Sequence, residues 1–178
     1  MNAPETQWSL AFLRQAASDL DVYEQLARLA LPSCQRLHSL QMWLEKLSKA
    51  YLWSSAITAT DLPEFRGSHN VVAKVLPTLI REHWRSVGYA SEPDLRAVRA
   101  LCREVDLLHP QIDEGGSRPD NVEYPWTTLQ DGRPRIVAPA DEAFKLAERL
   151  SNHVGRRLMK AATVLTRRPS LWLNPETS

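Results

Sequence analysis

The chain of 178 residues has few cysteines, few glycines and no long apolar run, and each shortage argues against a class of protein. Its two cysteines, Cys34 and Cys102, lie far apart, which argues against a disulfide framework or a zinc site and favours a reducing, cytoplasmic environment. Six glycines are too few for a collagen-like chain and argue against a β-rich fold. The apolar runs are too short for a membrane span, and the first residues lack the pattern of a secretory signal. With 22 basic and 21 acidic residues, the charge balance points to no polyelectrolyte role.

What the chain does have is helical periodicity. Apolar residues recur every three or four positions and predict a single all-α domain over residues 1–178, an up-and-down bundle of about five helices. On the second helix, Leu37, Leu40 and Leu44 belong to one stripe, and its width predicts a central position in the bundle. Glu45 and Lys49 are expected to pair across one turn on the exposed face of that helix. The predicted helices cover residues 6–30, 32–53, 69–87, 92–108 and 141–167.

Proline, glycine and small polar residues predict where these helices are interrupted. Loops are expected over residues 54–68 and 110–139, and the longer one is expected to contain a small hairpin that turns at Asp131 and Gly132. Ser91 is the expected N-cap of the fourth helix. Gly155 lies inside the last helix, where a close helix–helix approach, at a dimer seam for example, would explain it. The tail 171–173 is expected to dock on the body or on a partner.

Four short motifs resemble those of the HEPN domain family. The second helix carries Leu40-Gln41 and then Leu44-Glu45-Lys46-Leu47-Ser48-Lys49-Ala50, which is similar to the helix motif of that family. Trp8, Ala16-Ala17-Ser18-Asp19-Leu20 and Tyr23 resemble its opening helix. His69-Asn70-Val71 is similar to the start of its third helix, and Val122-Glu123-Tyr124-Pro125 to its loop before the last helix. The resemblance covers roughly residues 8 to 165.

The resemblance implies a helical bundle that pairs as a homodimer and works in toxin–antitoxin or anti-phage defence. It implies RNA, a nucleotide or a nucleotidyltransferase-type protein as the partner, with no cofactor. A subset of the family are metal-independent endoribonucleases that use an Arg followed, after four to six residues, by a His. Arg103 and His109 match that spacing and are the candidate catalytic pair, with His109 moving a proton and Arg103 holding phosphate oxygens. In the alternative interpretation, Arg103 is a solvated helix residue and His109 a favourable group at the helix C-terminus.

The last predicted helix is unusually basic between residues 149 and 168. Such a strip could bind phosphates, or it could simply be a solvated helix surface. Three functions therefore stay open: a catalytically silent module that binds RNA, a nucleotide or a protein, a metal-independent endoribonuclease, and a purely structural dimer. No metal site is predicted, because the histidines are scattered. The candidate nucleic-acid contacts are Arg149, Arg156, Arg157 and Lys160, with Arg167 and Arg168 on the same strip.

Overall fold

The computed structural model describes residues 3–54, 68–110 and 121–173. This part of the chain contains six α-helices, one antiparallel hairpin and two short 3-10 turns, so the predicted helical class is confirmed. The predicted loop over residues 54–68 and the stretch 111–120 of the longer loop lie almost wholly outside the described residues. The helices are α1 (Ala3–Leu26), α2 (Ser33–Ser54), α3 (Val72–His83), α4 (Leu95–Asp106), α5 (Lys145–Ser151) and α6 (His153–Arg167), and the strands are β1 (Trp126–Gln130) and β2 (Arg133–Val137).

Helices α1 and α2 pack as an antiparallel pair, since early residues of α1 meet late residues of α2. The Ser9 hydroxyl donates to the carbonyl oxygen of Ala50 at 2.8 Å, and the rings of Tyr23 and Trp43 lie 5.8 Å apart. Trp43 is fully buried and donates its indole N–H to Thr166 Oγ1 of α6 at 2.9 Å, so α2 is covered from a second side. The predicted central position of α2 is therefore confirmed. The α2 leucines that are at most 1 % exposed are Leu37, Leu40, Leu44 and Leu47.

Three of the helices have other boundaries than predicted. Helix α3 covers Val72–His83 rather than residues 69–87, and α4 ends at Asp106 rather than at residue 108. Helix α1 ends at Leu26 rather than near residue 30, and Leu29 is exposed in the turn that follows. Helix α4 begins at Leu95, because the carboxylate of Asp94 accepts hydrogen bonds from the first free amides of the helix. The predicted N-cap, Ser91, is therefore wrong.

The predicted hairpin is confirmed. Trp126 pairs with Val137, and the two-residue turn consists of Asp131 and Gly132, with φ of 53° and 75°. Two successive positive φ angles are those of a type I′ turn, which suits the right-handed twist of a two-stranded ribbon. One face of the ribbon is inward, with Val137 buried, whereas Leu129 and Ile136 on the other face are exposed.

The last predicted helix is two helices, α5 and α6, and the single helix over residues 141–167 was wrong. The chain leaves helical geometry at Asn152, whose ψ is 178° and whose side chain accepts a hydrogen bond from the amide of Gly155 at 2.9 Å. A Cβ on Gly155 would lie 2.4 Å from the carbonyl oxygen of Arg149 and 2.5 Å from Leu150 Cα. The close approach predicted for Gly155 therefore exists within the chain, at the junction of α5 and α6.

The C-terminal tail docks on the helical body. Leu173 is buried against Leu13 of α1 and Ala50 of α2, and the indole N–H of Trp172 donates to the carbonyl oxygen of Leu165 at 2.9 Å. Within the described ranges, no helix combines the length and apolar character that a bilayer span requires.

Candidate functional site

A row of polar side chains lies within the apolar surroundings of α2. His38, Gln41, Glu45 and Lys49 are spaced by three or four residues and therefore share one side of the helix. Glu45 is 2 % exposed and Lys49 is 5 % exposed. The predicted pair between them exists, with 2.7 Å between Lys49 Nζ and Glu45 Oε1, but its predicted exposed location is wrong.

Glu45 is the centre of a buried hydrogen-bond network. Its Oε2 accepts the side-chain amide of Gln41 at 2.8 Å and lies 3.1 Å from Nδ1 of His69, while Oε1 accepts from Lys49. Burial alone would raise the pKa of Glu45, but the hydrogen bonds and charges of Lys49 and His69 outweigh burial and lower it. Glu45 is therefore an ionised acceptor that holds His69 by one ring nitrogen.

A second buried carboxylate, Asp106, joins the end of α4 to the beginning of α3. Its Oδ1 accepts from the backbone amide of Val72 at 3.1 Å and its Oδ2 from that of Ala73 at 2.9 Å. These amides have no acceptor within α3, and the N-cap residue Val71 provides no side-chain bond. Burial raises the pKa of Asp106 to about 6, although the two amide bonds act in the opposite direction.

The two hydrogen bonds of Asp106 bring together two histidines that are forty residues apart in the chain. His69 lies three residues before α3, and His109 lies three residues after α4, so the bonds of Asp106 bring both segments to the same place. The rings of His69 and His109 stack with centroids 3.6 Å apart and planes at 9°. Both residues are partly exposed to solvent. Burial lowers the pKa of His109, and the neighbouring His69 lowers it further against the opposing charges of Glu123 and Glu45.

A further pair, His38 and Glu123, borders the stacked histidines. His38 Nδ1 lies 3.6 Å from Glu123 Oε1. The segment that carries Glu123 is fixed beside His109, because the amide of Val122 donates to the carbonyl oxygen of Leu108 at 3.3 Å. The site thus combines three imidazoles and two carboxylates drawn from α2, the start of α3, the end of α4 and the segment before β1.

Proton transfer is the chemistry that this arrangement suits. A neutral imidazole near neutrality accepts a proton, and an imidazole held by a carboxylate is oriented to donate one. In the described ranges, no group of three or more His, Cys, Asp or Glu side chains has the geometry of a metal site.

The two residues of the predicted catalytic pair, Arg103 and His109, lie in different surroundings. Arg103 lies exposed in the last turn of α4, and His109 lies in the turn beyond that helix, stacked on His69. The alternative interpretation also places His109 near the C-terminus of this helix, and the structure adds its stack on His69. Helix α4 ends at Asp106, so His109 lies outside it, and the residue before a proline such as Pro110 disfavours helical geometry.

The basic residues of the last predicted helix are distributed over α5 and α6. Arg149 lies 3.5 Å from Glu104 of α4, and the guanidinium of Arg157 lies 4.0 Å from the ring centre of Tyr89. Arg156 and Lys160 are both exposed. Arg167, by contrast, pairs with two carboxylates of α1, those of Asp21 and Glu24.

Sequence reasoning missed the contribution of Glu45, His38 and Glu123 to the site, and placed His69 only at a helix end. For the two α2 residues a signal existed, since His38 and Glu45 are seven residues apart and Gln41 lies between them. Three polar residues that share one side of a helix with few exposed positions indicate a buried hydrogen-bond network. Glu123 had no comparable local signal.

Comparison with protein-family models, curated proteins and solved structures gave no match to this chain.

Proposed function

We propose that this chain is a HEPN-like helical domain that binds RNA and cleaves it by metal-independent proton transfer. The observation that carries the proposal is the stacked pair of His69 and His109, with His69 held by the buried carboxylate of Glu45. The HEPN-like motif residues support it by their positions, because the leucines of the α2 motif are buried and His69 immediately precedes α3.

The reaction that suits these groups is attack of a ribose 2′-hydroxyl on the adjacent phosphate. His109, whose pKa is lowered, takes the proton of the 2′-hydroxyl as its oxygen bonds to phosphorus. The bond from phosphorus to the 5′-oxygen breaks, and His69 in its protonated form donates a proton to that leaving oxygen. Glu45 holds His69 by Nδ1, so Nε2 is the nitrogen that remains for the substrate. The products are a 2′,3′-cyclic phosphate and a 5′-hydroxyl.

Arg103 and the exposed basic residues of α6 are the candidates for binding phosphate. Arg103 lies exposed in the last turn of α4, three residues before Asp106, and a guanidinium stabilises charge that develops on phosphoryl oxygens. Arg156 and Lys160 are exposed on α6 and suit contacts with more distant phosphates of the chain. Dimerisation, a nucleotidyltransferase-type partner and a role in toxin–antitoxin or anti-phage defence follow from the HEPN resemblance and stay predictions.

The test is cleavage of a labelled single-stranded RNA in EDTA, with the product ends identified as cyclic phosphates. His109→Ala and His69→Ala are each expected to lower the rate by about 10²-fold or more, the usual contribution of a general acid or base. His83→Ala removes a partly exposed histidine at the end of α3 and is the matched control. Absence of cleavage by the unaltered chain, or equal rates in His109→Ala and His83→Ala, would contradict the proposal.

A binding measurement tests the contribution of α6 separately. Arg156→Glu with Lys160→Glu is expected to weaken RNA binding and to make the salt dependence of the dissociation constant less steep, because fewer phosphates are neutralised. If the double variant binds RNA like the unaltered chain at every salt concentration, α6 is not part of the RNA surface.

A further inference from the structure

An open cavity of about 310 Å³ lies on the flank of the stacked histidines, and the proton-transfer step does not use it. Its walls are formed by Gln35, His38, Val122, Glu123 and Tyr124. It is adjacent to the proposed catalytic group, since the amide of Val122 bonds to the residue that precedes His109. Its volume lies within the range of small-molecule sites, about 300–1,000 Å³.

Glu123 and Tyr124 are held in fixed positions by a side-chain turn. The amide oxygen of Asn121, which is buried, accepts the backbone amide of Glu123 at 2.9 Å and that of Tyr124 at 2.7 Å. This turn secures the backbone, yet the Tyr124 side chain is 60 % exposed. A rigidly mounted, exposed aromatic ring at the edge of a polar cavity provides a surface on which a nucleobase can stack.

The four bases differ in the groups that they present to a carboxylate such as that of Glu123. A carboxylate presents two acceptor oxygens, and the Watson–Crick edge of guanine presents two adjacent donors, N1–H and N2–H. Adenine and cytosine each present one exocyclic amino group beside an acceptor nitrogen, and uracil presents one imide donor between two carbonyls. Gln35 also lines the cavity, and a glutamine side-chain amide carries N–H donors of the kind that the O6 atom of guanine accepts.

The Glu123 carboxylate in this cavity has room to accept hydrogen bonds from a ligand. The nearest partner of the Glu123 carboxylate is His38 Nδ1 at 3.6 Å, which is longer than a hydrogen bond. Within the described residues, that buried ring nitrogen has no hydrogen-bond partner. A base that donated to the Glu123 carboxylate would supply the hydrogen bonds that His38 does not, which favours a ligand with two donors side by side.

We propose that this cavity reads a guanine base next to the scissile phosphate, with Tyr124 stacking on the base and Glu123 accepting from N1–H and N2–H. This inference rests on the proposed RNA function and specifies its substrate as RNA with guanosine at the cleaved bond. Glu123 and Tyr124 are then specificity-determining residues, and neither transfers a proton in the reaction.

The test measures base preference in binding and in cleavage. Binding of guanosine 3′-monophosphate to the full chain is compared with binding of the adenosine, cytidine and uridine 3′-monophosphates by calorimetry. We expect a preference for guanosine of about tenfold or more, the discrimination that a good bidentate pair provides. Glu123→Gln is expected to abolish the preference, and Tyr124→Ala to weaken binding, while Tyr124→Phe retains it. Glu148→Gln, on the exposed surface of α5, is the matched control.

The two arms separate this inference from the proposed function. Selective binding of the guanosine nucleotide without any RNA cleavage would support the guanine site and contradict the proposed reaction. Cleavage of RNA with equal rates after all four bases, or equal binding of the four nucleotides, would overturn the guanine site and leave the histidine mechanism intact. An unchanged preference in Glu123→Gln would overturn the assignment as well.

Discussion

The buried carboxylate of Asp106 allows a stability measurement in which two physical effects predict opposite signs. Burial disfavours the charged form, whereas the two backbone amides of α3 stabilise it. Because burial dominates, the pKa of Asp106 is raised to about 6 from an ordinary value of 3.8. Between these two pH values the folded chain binds more protons at this position than the unfolded chain does.

The direction of the pH dependence follows from that difference. A group whose pKa is higher in the folded state makes the free energy of unfolding fall as pH rises through the window, here from about pH 4 to pH 6. A shift of about two pKa units corresponds to about 2–3 kcal/mol. Asp106→Asn keeps the shape and does not titrate, so this contribution is absent from the variant.

We therefore compare the free energies of unfolding of the unaltered chain and Asp106→Asn by urea titration with circular dichroism, at pH 4 and at pH 7.5. From pH 4 to pH 7.5, the free energy of unfolding of the unaltered chain is expected to fall by about 2–3 kcal/mol relative to that of Asp106→Asn. Asp94→Asn is the control, because Asp94 also accepts two backbone amides but is exposed. A difference that is constant with pH, or that moves in favour of the unaltered chain, would refute the argument that burial outweighs the amide bonds.

The remaining predictions concern the core and the helix junction. Gly155→Ala places a methyl group against backbone atoms of α5 and is expected to lower the free energy of unfolding by about 1–3 kcal/mol or more, measured by urea titration. Glu45→Ala removes the buried carboxylate that the Lys49 ammonium contacts at 2.7 Å and is expected to cost about 3–5 kcal/mol, whereas Glu45→Ala combined with Lys49→Met is expected to recover part of that loss. Thr166→Val removes the acceptor of the buried Trp43 indole N–H and is expected to lower the free energy of unfolding by about 1–3 kcal/mol. A change below 0.5 kcal/mol, roughly the scatter of surface substitutions, would contradict the role of that hydrogen bond.

The parts of the fold that the sequence predicted are those that short-range chemistry determines. The stripe of leucines on α2 and the Asp131-Gly132 turn each depend on residues within a few positions of one another. The junction of α5 and α6 was missed because the apolar stripe continues across it, from Leu150 to Leu158. Asn152 and Gly155 carry the local signal for that break, and a cap three residues before a glycine is easily taken for the interior of one helix.

The candidate site could be predicted only in part, because its geometry depends on contacts between distant residues. The motif pair supplied His109, and a helix-start motif supplied His69, but their stacking requires the bonds of Asp106 to α3. The burial of Glu45 likewise depends on segments that cover α2. Charge pattern within α2 alone could not distinguish a solvated ion pair from a buried one.

The dependence of α3 on Asp106 also bears on how the chain acquires its structure during synthesis. A helix of 12 residues is marginal by itself in water, and the amides of Val72 and Ala73 find their acceptors only on a residue made more than thirty positions later. The first turn of α3 is thus completed only after Asp106 has emerged from the ribosome. Until then the nascent segment exposes its apolar side, and in a chain truncated before residue 106 we expect the amides at residues 72 and 73 to exchange with solvent deuterium far faster than in the whole protein.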